Sequence, residues 1–368
     1  MRILHINSYL RASPFYDNLF RCERELGADV RAYVPLDVPY TGEKFENCDF
    51  ARVCGKYDRF LFHYKHNKIL KDALSRYDGK SFDLLHAHSL FSNGYVAMRL
   101  SEAWNIPYIV AVRDTDVNIF FKWQPHLRAL GRRILKNAQK VVFISPSYRE
   151  NALKPYLSNA EFDAVMQKSA VLPNGVDDLW MQNIGQPKAR EKGAPVKLLF
   201  VGAMIPRKNV PSVVRAANVL KDRGHDVKLT VLGKPVDERV VKLVDADPLC
   251  ERLPPRPMRE LLPVYREHDI FVMPSKRETF GIVYVEAMSQ GLPVLYTKGQ
   301  GFDGQLPEGE CGFAVLPTDA EDIADKAERI LQNYETLSQN AVLMCRAFNW
   351  RDIAKEYLAI YETILSSR

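Results

Sequence analysis

Long hydrophobic runs are missing from this chain. No apolar stretch approaches the roughly 20 residues a helix needs to cross a bilayer, which argues against a membrane-spanning protein. The six cysteines (Cys22, Cys48, Cys54, Cys250, Cys311, Cys345) fall in no metal-ligand spacing. They read as reduced thiols, and Met1-Arg2 leads straight into a strand pattern without a signal-peptide pattern. Together these predict a cytoplasmic chain. No internal repeat recurs at solenoid period, and no nucleic-acid recognition motif accompanies the basic residues, so nucleic acid is not an expected partner.

What is present is ordinary for globular proteins. With 368 residues, 46% hydrophobic and 26% charged, the chain can build two full cores. The net charge of +6 is concentrated in the first half, where residues 1–180 hold 25 Lys+Arg against 20 Asp+Glu. Two expected helices carry the excess. One lies in 56–80 (Lys65, Lys68, Lys71 and Arg76, among Phe60, Phe62, Tyr64 and Leu70). The other lies in 122–140 (Arg128, Arg132, Arg133 and Lys136, with Trp123 and Leu127). Such helices either rest on an anionic membrane surface, peripherally, or form a solvated face.

Strand and helix patterns alternate along the chain, which predicts an α/β protein with doubly wound parallel sheets. Strands are expected at 2–8, 29–36, 83–89, 106–116 and 140–146, then at 195–203, 227–233 and 312–317. The polar stretch 181–195 (MQNIGQPKAREKGAP) reads as a linker between a first domain, 1–180, and a second, 196–350. Thr318 and Glu321 form a capping-box pattern for a helix at 319–332.

The most informative stretch is IFVMPSKRETFGIVYVEAMSQGLPVL, 270–295. Its apolar start suits a strand buried on both faces, 275–281 a polar loop, and Ile282, Val285 and Met288 a helix that Gly291 ends. In open α/β sheets ligands sit beyond the strand ends, against the next helix. The amides of Phe280, Gly281 and Ile282 would there meet a phosphate, and Gly281 permits close approach. Glu278 and Glu286 would be repelled by phosphate but suit neutral hydroxyls. A ligand with sugar, phosphate and ribose together is a sugar nucleotide.

The residues PS..ETFG..YVEAM..GLPV, with Glu278 and Glu286 in place, resemble the donor-site signature of family 4 of the retaining glycosyltransferases. That resemblance implies a GT-B fold: two Rossmann-like domains facing a central cleft, with the terminal helix (about 351–368) crossing back onto the first. It implies sugar transfer from a nucleotide diphosphate sugar to an acceptor hydroxyl with retention, without metal or separate cofactor, and with domain closure over the donor. The acceptor expected from the resemblance and the basic first domain is a lipid-linked or growing bacterial surface polysaccharide. Alternatives are a non-catalytic sugar-nucleotide-binding subunit, or a GT-B epimerase or phosphorylase.

By the same resemblance Glu286 holds the ribose and Glu278 contacts the transferred sugar. Lys208, at a strand end before a helix, can reach the diphosphate. The family pattern VGR…KG keeps Gly202 and Lys208 here but has Ala203 for its Arg and Asn209 for its second Gly, so Arg207 is the candidate for the missing charge. Leu253 falls in the segment that lines the base pocket in relatives, and Lys234 is either a further phosphate ligand or a surface lysine. In the first domain many relatives have His-Gly where this chain has Arg113-Asp114. Arg113 stays protonated and cannot be a base. It binds an anionic group or pairs with Asp114 or Asp116. The first loop lacks the paired glycines of many relatives. Asn7, Ser13, Tyr16, His88 and Asp116 are the acceptor-pocket candidates, with packing as the other role for Phe15 and Tyr16. His86 and His88 share a strand end but lack a third metal ligand nearby in sequence, and no metal is expected.

Overall fold

The computed structural model describes residues 1–10, 15–42, 45–55 and 57–367. The chain forms two units: one of Met1–Ile144, Arg149–Pro173 and Trp350–Arg368, the other of Ser145–Tyr148 and Asn174–Asn349. Among the described residues no helix is long and apolar enough to cross a membrane.

The first unit is built on seven parallel strands: β1 (Arg2–Ile6), β2 (Asp29–Leu36), β3 (Cys48–Arg52), β4 (Leu84–Ala87), β5 (Tyr108–Ala111), β6 (Lys140–Phe143) and β7 (Ser169–Val171). Their order is β3-β2-β1-β4-β5-β6-β7. β4 and β5 are buried throughout and read as short apolar runs, as strands covered on both faces must. The edge strand β3 lies in what the sequence pattern presents as a polar connection. Only Ala51 in it is buried, so the apolar signal is too short to detect. The terminal helix Trp350–Ser366 belongs to this unit, and its Trp350, Ile353, Tyr357 and Tyr361 pack with Leu19, Phe20, Val30 and Val34. Trp350 meets the Phe15 ring edge-on at 4.7 Å. The expected helix over 122–140 is broken up: a π-helix at Asp116–Phe121, a 3₁₀ turn at Pro125–Leu127, and an α-helix only at Arg128–Asn137. Pro125 removes a helical donor at the break.

The second unit has six parallel strands: β8 (Val196–Val201), β9 (Val227–Leu232), β10 (Cys250–Leu253), β11 (Ile270–Val272), β12 (Val294–Thr297) and β13 (Gly312–Val315). Their order is β10-β9-β8-β11-β12-β13. The strand order therefore reverses between β8 and β11, making a crevice at their carboxyl ends where α/β sheets bind ligands.

Residues 181–195, expected as a linker, lie inside the second unit, and the chain crosses between units at Pro173/Asn174. The stretch is polar because it supplies caps. Gly185 N–H donates to the Ser289 carbonyl (2.7 Å), and Lys188 Nζ donates to the carbonyls of Tyr265 (3.1 Å) and His268 (2.6 Å), ending the helix Met258–Glu267. Burial pushes the Lys188 ammonium down to about 8. The cap of helix Ala320–Gln332 is Asp319, which accepts from the amides of Glu321 and Asp322, and not Thr318. Asp competes well for this position because its carboxylate also meets the helix dipole.

Candidate functional site

After β8 the chain passes Gly202 and turns through Pro206–Lys208 into Asn209, whose φ of 62° is left-handed. Asn tolerates that conformation, so its presence in place of a glycine preserves the turn. Its side chain adds what glycine lacks. Asn209 Nδ2 donates to the Pro274 carbonyl (2.9 Å) and to that of Pro317, joining the ends of β8, β11 and β13. Gly233 is required here, since a Cβ on it would lie 2.1 Å from the Gly202 carbonyl oxygen.

The loop after β11 is laced to this turn. Lys276 N–H donates to the Arg207 carbonyl (2.9 Å), and Arg207 Nη1 donates to the Arg277 carbonyl (2.9 Å). Arg207 thus spends part of its guanidinium holding the loop. Gln300 and Gly301 buttress it from the other side. Glu278 N–H donates to Gln300 Oε1 (3.1 Å), Gly301 N–H donates to the Glu278 carbonyl (2.9 Å), and a Cβ on Gly301 would fall 2.2 Å from the Thr279 carbonyl carbon. Gly281 has φ +83° and precedes the helix Ile282–Ser289. Tyr284 donates its hydroxyl to the Met273 carbonyl (2.6 Å), pinning that helix to β11. Phe280 is buried against Phe348, so only its backbone is offered to a ligand. Among the described residues none accepts from the amides of Phe280, Gly281 and Ile282.

At the mouth of this crevice Lys208 Nζ lies 2.6 Å from Glu278 Oε2, with side chains 17% and 10% exposed. A partly desolvated pair of this kind is held in one geometry, and removing either partner strands the other. Glu286 is half-buried one helical stretch further on, and accepts a hydrogen bond from the Tyr265 hydroxyl (3.1 Å). Burial raises its carboxyl to about 7, opposed by the Tyr265 bond and aided by nearby Asp177. Tyr265 is itself buried, edge-on to Trp180 at 5.3 Å. Sequence reasoning missed Tyr265, Gln300 and the stretch 183–188 as supports. The available signals were a tyrosine in the charged helix MRELLPVYRE and the glycine-rich GQGFDGQ after β12. Lys234 is exposed, and Leu253 is half-buried at the end of β10, its carbonyl accepting from Gly233 N–H (3.2 Å).

The first-unit candidates divide. Ser13 lies outside the described residues. Asn7, His88 and Asp116 are fully buried and hold structural bonds, while Asn7 Nδ2 and His88 Nδ1 find no partner among the described residues. Asp116 accepts from the amides of Leu90 (2.9 Å), Phe91 (3.0 Å) and Arg113 (2.9 Å), and burial raises it to about 6 against those bonds. Asn7 Oδ1 accepts from the amides of Tyr9 (2.8 Å) and Leu10 (3.1 Å). Tyr16 is buried and packs edge-on against Phe15 and His88. Arg113 is buried too. Its Nε donates to the His88 carbonyl (3.3 Å), and its guanidinium lies 5.8 Å from the Tyr16 ring centre. The Asp116 carboxylate meets the Arg113 backbone amide.

The third histidine is His5, brought beside His86 by strand pairing, and the nitrogens of His5, His86 and His88 lie within 4.8 Å of one another. The His86 and His88 rings are stacked, 4.0 Å apart at 22°. Rings stacked in this way aim their in-plane lone pairs side by side and not at one shared ion, and His5 Nδ1 is already bonded to His88 Nε2 at 2.9 Å. The cluster is tied into the fold on its other sides, while His86 Nε2 and His88 Nδ1 find no partner among the described residues. His5 Nε2 lies 2.9 Å from Glu23 Oε2, Tyr361 donates to Glu23 Oε1 (3.0 Å), and its oxygen faces His86 Nδ1 (2.7 Å), tying the terminal helix to β1 and β4. Burial holds His86 and His88 well below their usual range, hence neutral.

A family model described as "Glycosyl transferases group 1" matches residues 182–342, and one described as "Glycosyl transferase 4-like domain" matches residues 13–165. The chain is 29% identical over 302 residues to a D-inositol 3-phosphate glycosyltransferase of Arthrobacter sp. (strain FB24), covering 76% of this chain and 70% of that one. In fold it is similar to sucrose-phosphate synthase from Thermosynechococcus elongatus (TM-score 0.78, 20% identity, 100% of both chains). It is also similar to Anabaena HepE in complex with UDP and glucose (TM-score 0.69, 16% identity, 99% of this chain and 100% of that one). The two parallel-sheet units and these neighbours show the GT-B fold.

Proposed function

Starting from a chain that is a glycosyltransferase of GT-B fold, we propose that it moves a hexosyl unit from a nucleoside diphosphate sugar to an acceptor hydroxyl with retention of anomeric configuration. No metal or separate cofactor takes part in this reading. The observation that carries it is the Lys208–Glu278 pair at the β8/β11 switch point, beside the amides of 280–282. The arrangement supplies one ammonium and a helix N-terminus for a diphosphate, and a carboxylate for sugar hydroxyls. A neighbour solved with UDP-glucose favours a nucleotide sugar as the ligand.

In this mechanism the diphosphate enters between the amides of 280–282 and the Lys208 ammonium, which Glu278 keeps aimed across the crevice. As the glycosidic C–O bond breaks, negative charge grows on the leaving phosphate, where Lys208 and the helix dipole stabilise it without rearrangement. Glu278 accepts from a hydroxyl of the transferred sugar. Glu286, oriented by Tyr265, accepts from the ribose. The departing phosphate takes the acceptor proton, since Arg113 cannot. Arg207, Lys234 and Leu253 have supporting roles: loop bracing, outer phosphate attraction and the base pocket.

A lipid-linked or growing surface polysaccharide, met at the cytoplasmic face of a membrane, is the proposed acceptor. A second reading, a small phosphorylated acceptor held by Arg113, is favoured by that buried guanidinium and by the phosphate in the names of the inositol-phosphate and sucrose-phosphate relatives. Thermal shift with UDP- and GDP-hexoses identifies the donor. A saturating ligand at a hundred times its Kd adds about 2.7 kcal/mol. NMR of the product linkage then tests retention, and an inverted linkage would reject it.

A further inference from the structure

Large apolar side chains are unevenly exposed. Among the described residues the four most exposed are Tyr57 (75%), Trp123 (71%), Phe60 (70%) and Leu61 (62%). All belong to two short segments of the first unit, 57–64 and 117–128, where Tyr64 and Ile119 are also exposed. Exposed apolar residues of the second unit (Val236, Leu243, Met258, Leu316, Leu343) are scattered singly along the sequence, which is normal for a surface.

Local geometry explains why the two segments turn outward together. The 3₁₀ turn Asp58–Phe60 runs through Leu61 into the helix Phe62–Arg76, whose His66, Ile69 and Ala73 face inward, leaving Leu61 and Tyr64 outside. In the π-helix Asp116–Phe121, Val117 and Phe121 are buried and Ile119 points out. The segments touch: the Phe62 ring lies 5.7 Å from that of Phe120, which in turn stacks on Phe91 at 4.8 Å.

The rim is cationic. Segment 117–128 holds Lys122 and Arg128 and no acidic residue, and the one acid in 57–71, Asp58, is paired with Lys68 at 2.8 Å. The Lys122 ammonium lies over the Trp123 ring at 5.4 Å and that of Lys68 over the Tyr64 ring at 5.1 Å, so cation and aromatic share each site. Protein interfaces are depleted in Lys, whereas aromatics rimmed by lysine are what the headgroup layer of an anionic bilayer selects.

We propose that this patch is a docking surface for an anionic lipid bilayer, with Tyr57, Phe60, Leu61, Tyr64 and Trp123 entering the interfacial layer and Lys65 and Lys122 meeting the headgroups. The proposal concerns lipid alone and does not depend on the transfer reaction or its acceptor.

The test uses the full chain with vesicles of phosphatidylcholine alone or mixed with phosphatidylglycerol, and no sugar nucleotide. Partition is measured by vesicle sedimentation. Trp123 is the one exposed tryptophan of four, Trp104 being half-buried and Trp180 and Trp350 buried, so a fluorescence blue shift on vesicle addition reports its insertion. Expected are partition at least tenfold tighter to the anionic vesicles, weakening with salt, and a further loss of about fivefold for Lys122→Gln. The triple change Phe60→Ser, Leu61→Ser, Trp123→Ser should lose at least tenfold, with far-UV circular dichroism and thermal unfolding unchanged. Equal partition to both vesicle types, variants binding like the parent, or a solution dimer that the triple change abolishes would each overturn the proposal. The last outcome would make the patch a self-interface.

Discussion

Replacing Glu286 by Gln should stabilise the protein while weakening donor binding. Burial lifts this carboxyl to about 7, from its ordinary 4.5. A folded-state pKa above the unfolded one means the native protein holds the proton longer. Stability is therefore complete below about pH 4.5, falls as pH rises towards 7, and is flat above. At about 1.4 kcal/mol per unit the full loss is roughly 3 kcal/mol, and partial exposure of the group reduces it towards 2. The Glu286→Gln variant has no charge to desolvate, and its amide oxygen can still accept from Tyr265, so it should lack this slope. Urea unfolding at pH 5 and pH 8 measures it: the two proteins should differ little at pH 5, with the variant ahead by about 2 kcal/mol at pH 8. The assigned role at the ribose predicts the opposite for function. Losing a charge-assisted bond should raise the donor Kd about tenfold or more by calorimetry at pH 8. Parallel stability curves would refute the burial argument, and an unchanged Kd would refute the ribose assignment.

Three further outcomes are expected. Lys208→Ala should lower turnover by about 10²–10³ by removing the charge at the leaving phosphate, and near-parental kcat would reject that role. Gly281→Ala forces a Cβ into left-handed φ, at about 1–2 kcal/mol, and within 2.3 Å of the Tyr284 ring. It should lower both thermal stability and donor affinity, and a variant matching the parent in both would contradict the loop geometry. Asp116→Ala leaves three buried amides without their acceptor and should cost about 3 kcal/mol or more in urea unfolding. A stable variant with only a raised KM for acceptor would place Asp116 in the acceptor pocket.

The strand, loop and helix around 270–289 were legible because their signals are local. Strand, loop, glycine and helix start follow one another between Ile270 and Ser289, and the observed helix begins at Ile282 as its spacing predicts. Illegible were the contacts made across sequence. Glu278 and Lys208, 70 residues apart, are named separately by their patterns, but only folding joins them. His5 joins His86 and His88 through β1–β4 pairing, and no spacing along the chain announces it. The polar stretch 181–195, which lies inside the second unit, and the buried polar residues Asn7, His88 and Asp116 share one feature. A polar side chain looks the same in sequence whether it faces water, a ligand or an orphan backbone amide.

By itself, then, the sequence determined the alternation of elements, the parallel sheets and the residue types at the turn after β11, because periodicity and backbone preference act over a few neighbouring residues. Only the tertiary structure decided which polar groups are spent inside the protein and which remain for a ligand. Hydrogen-bond capacity is consumed by partners tens to hundreds of residues away: Asp116 by the amides of Leu90 and Phe91, and Tyr361 by Glu23.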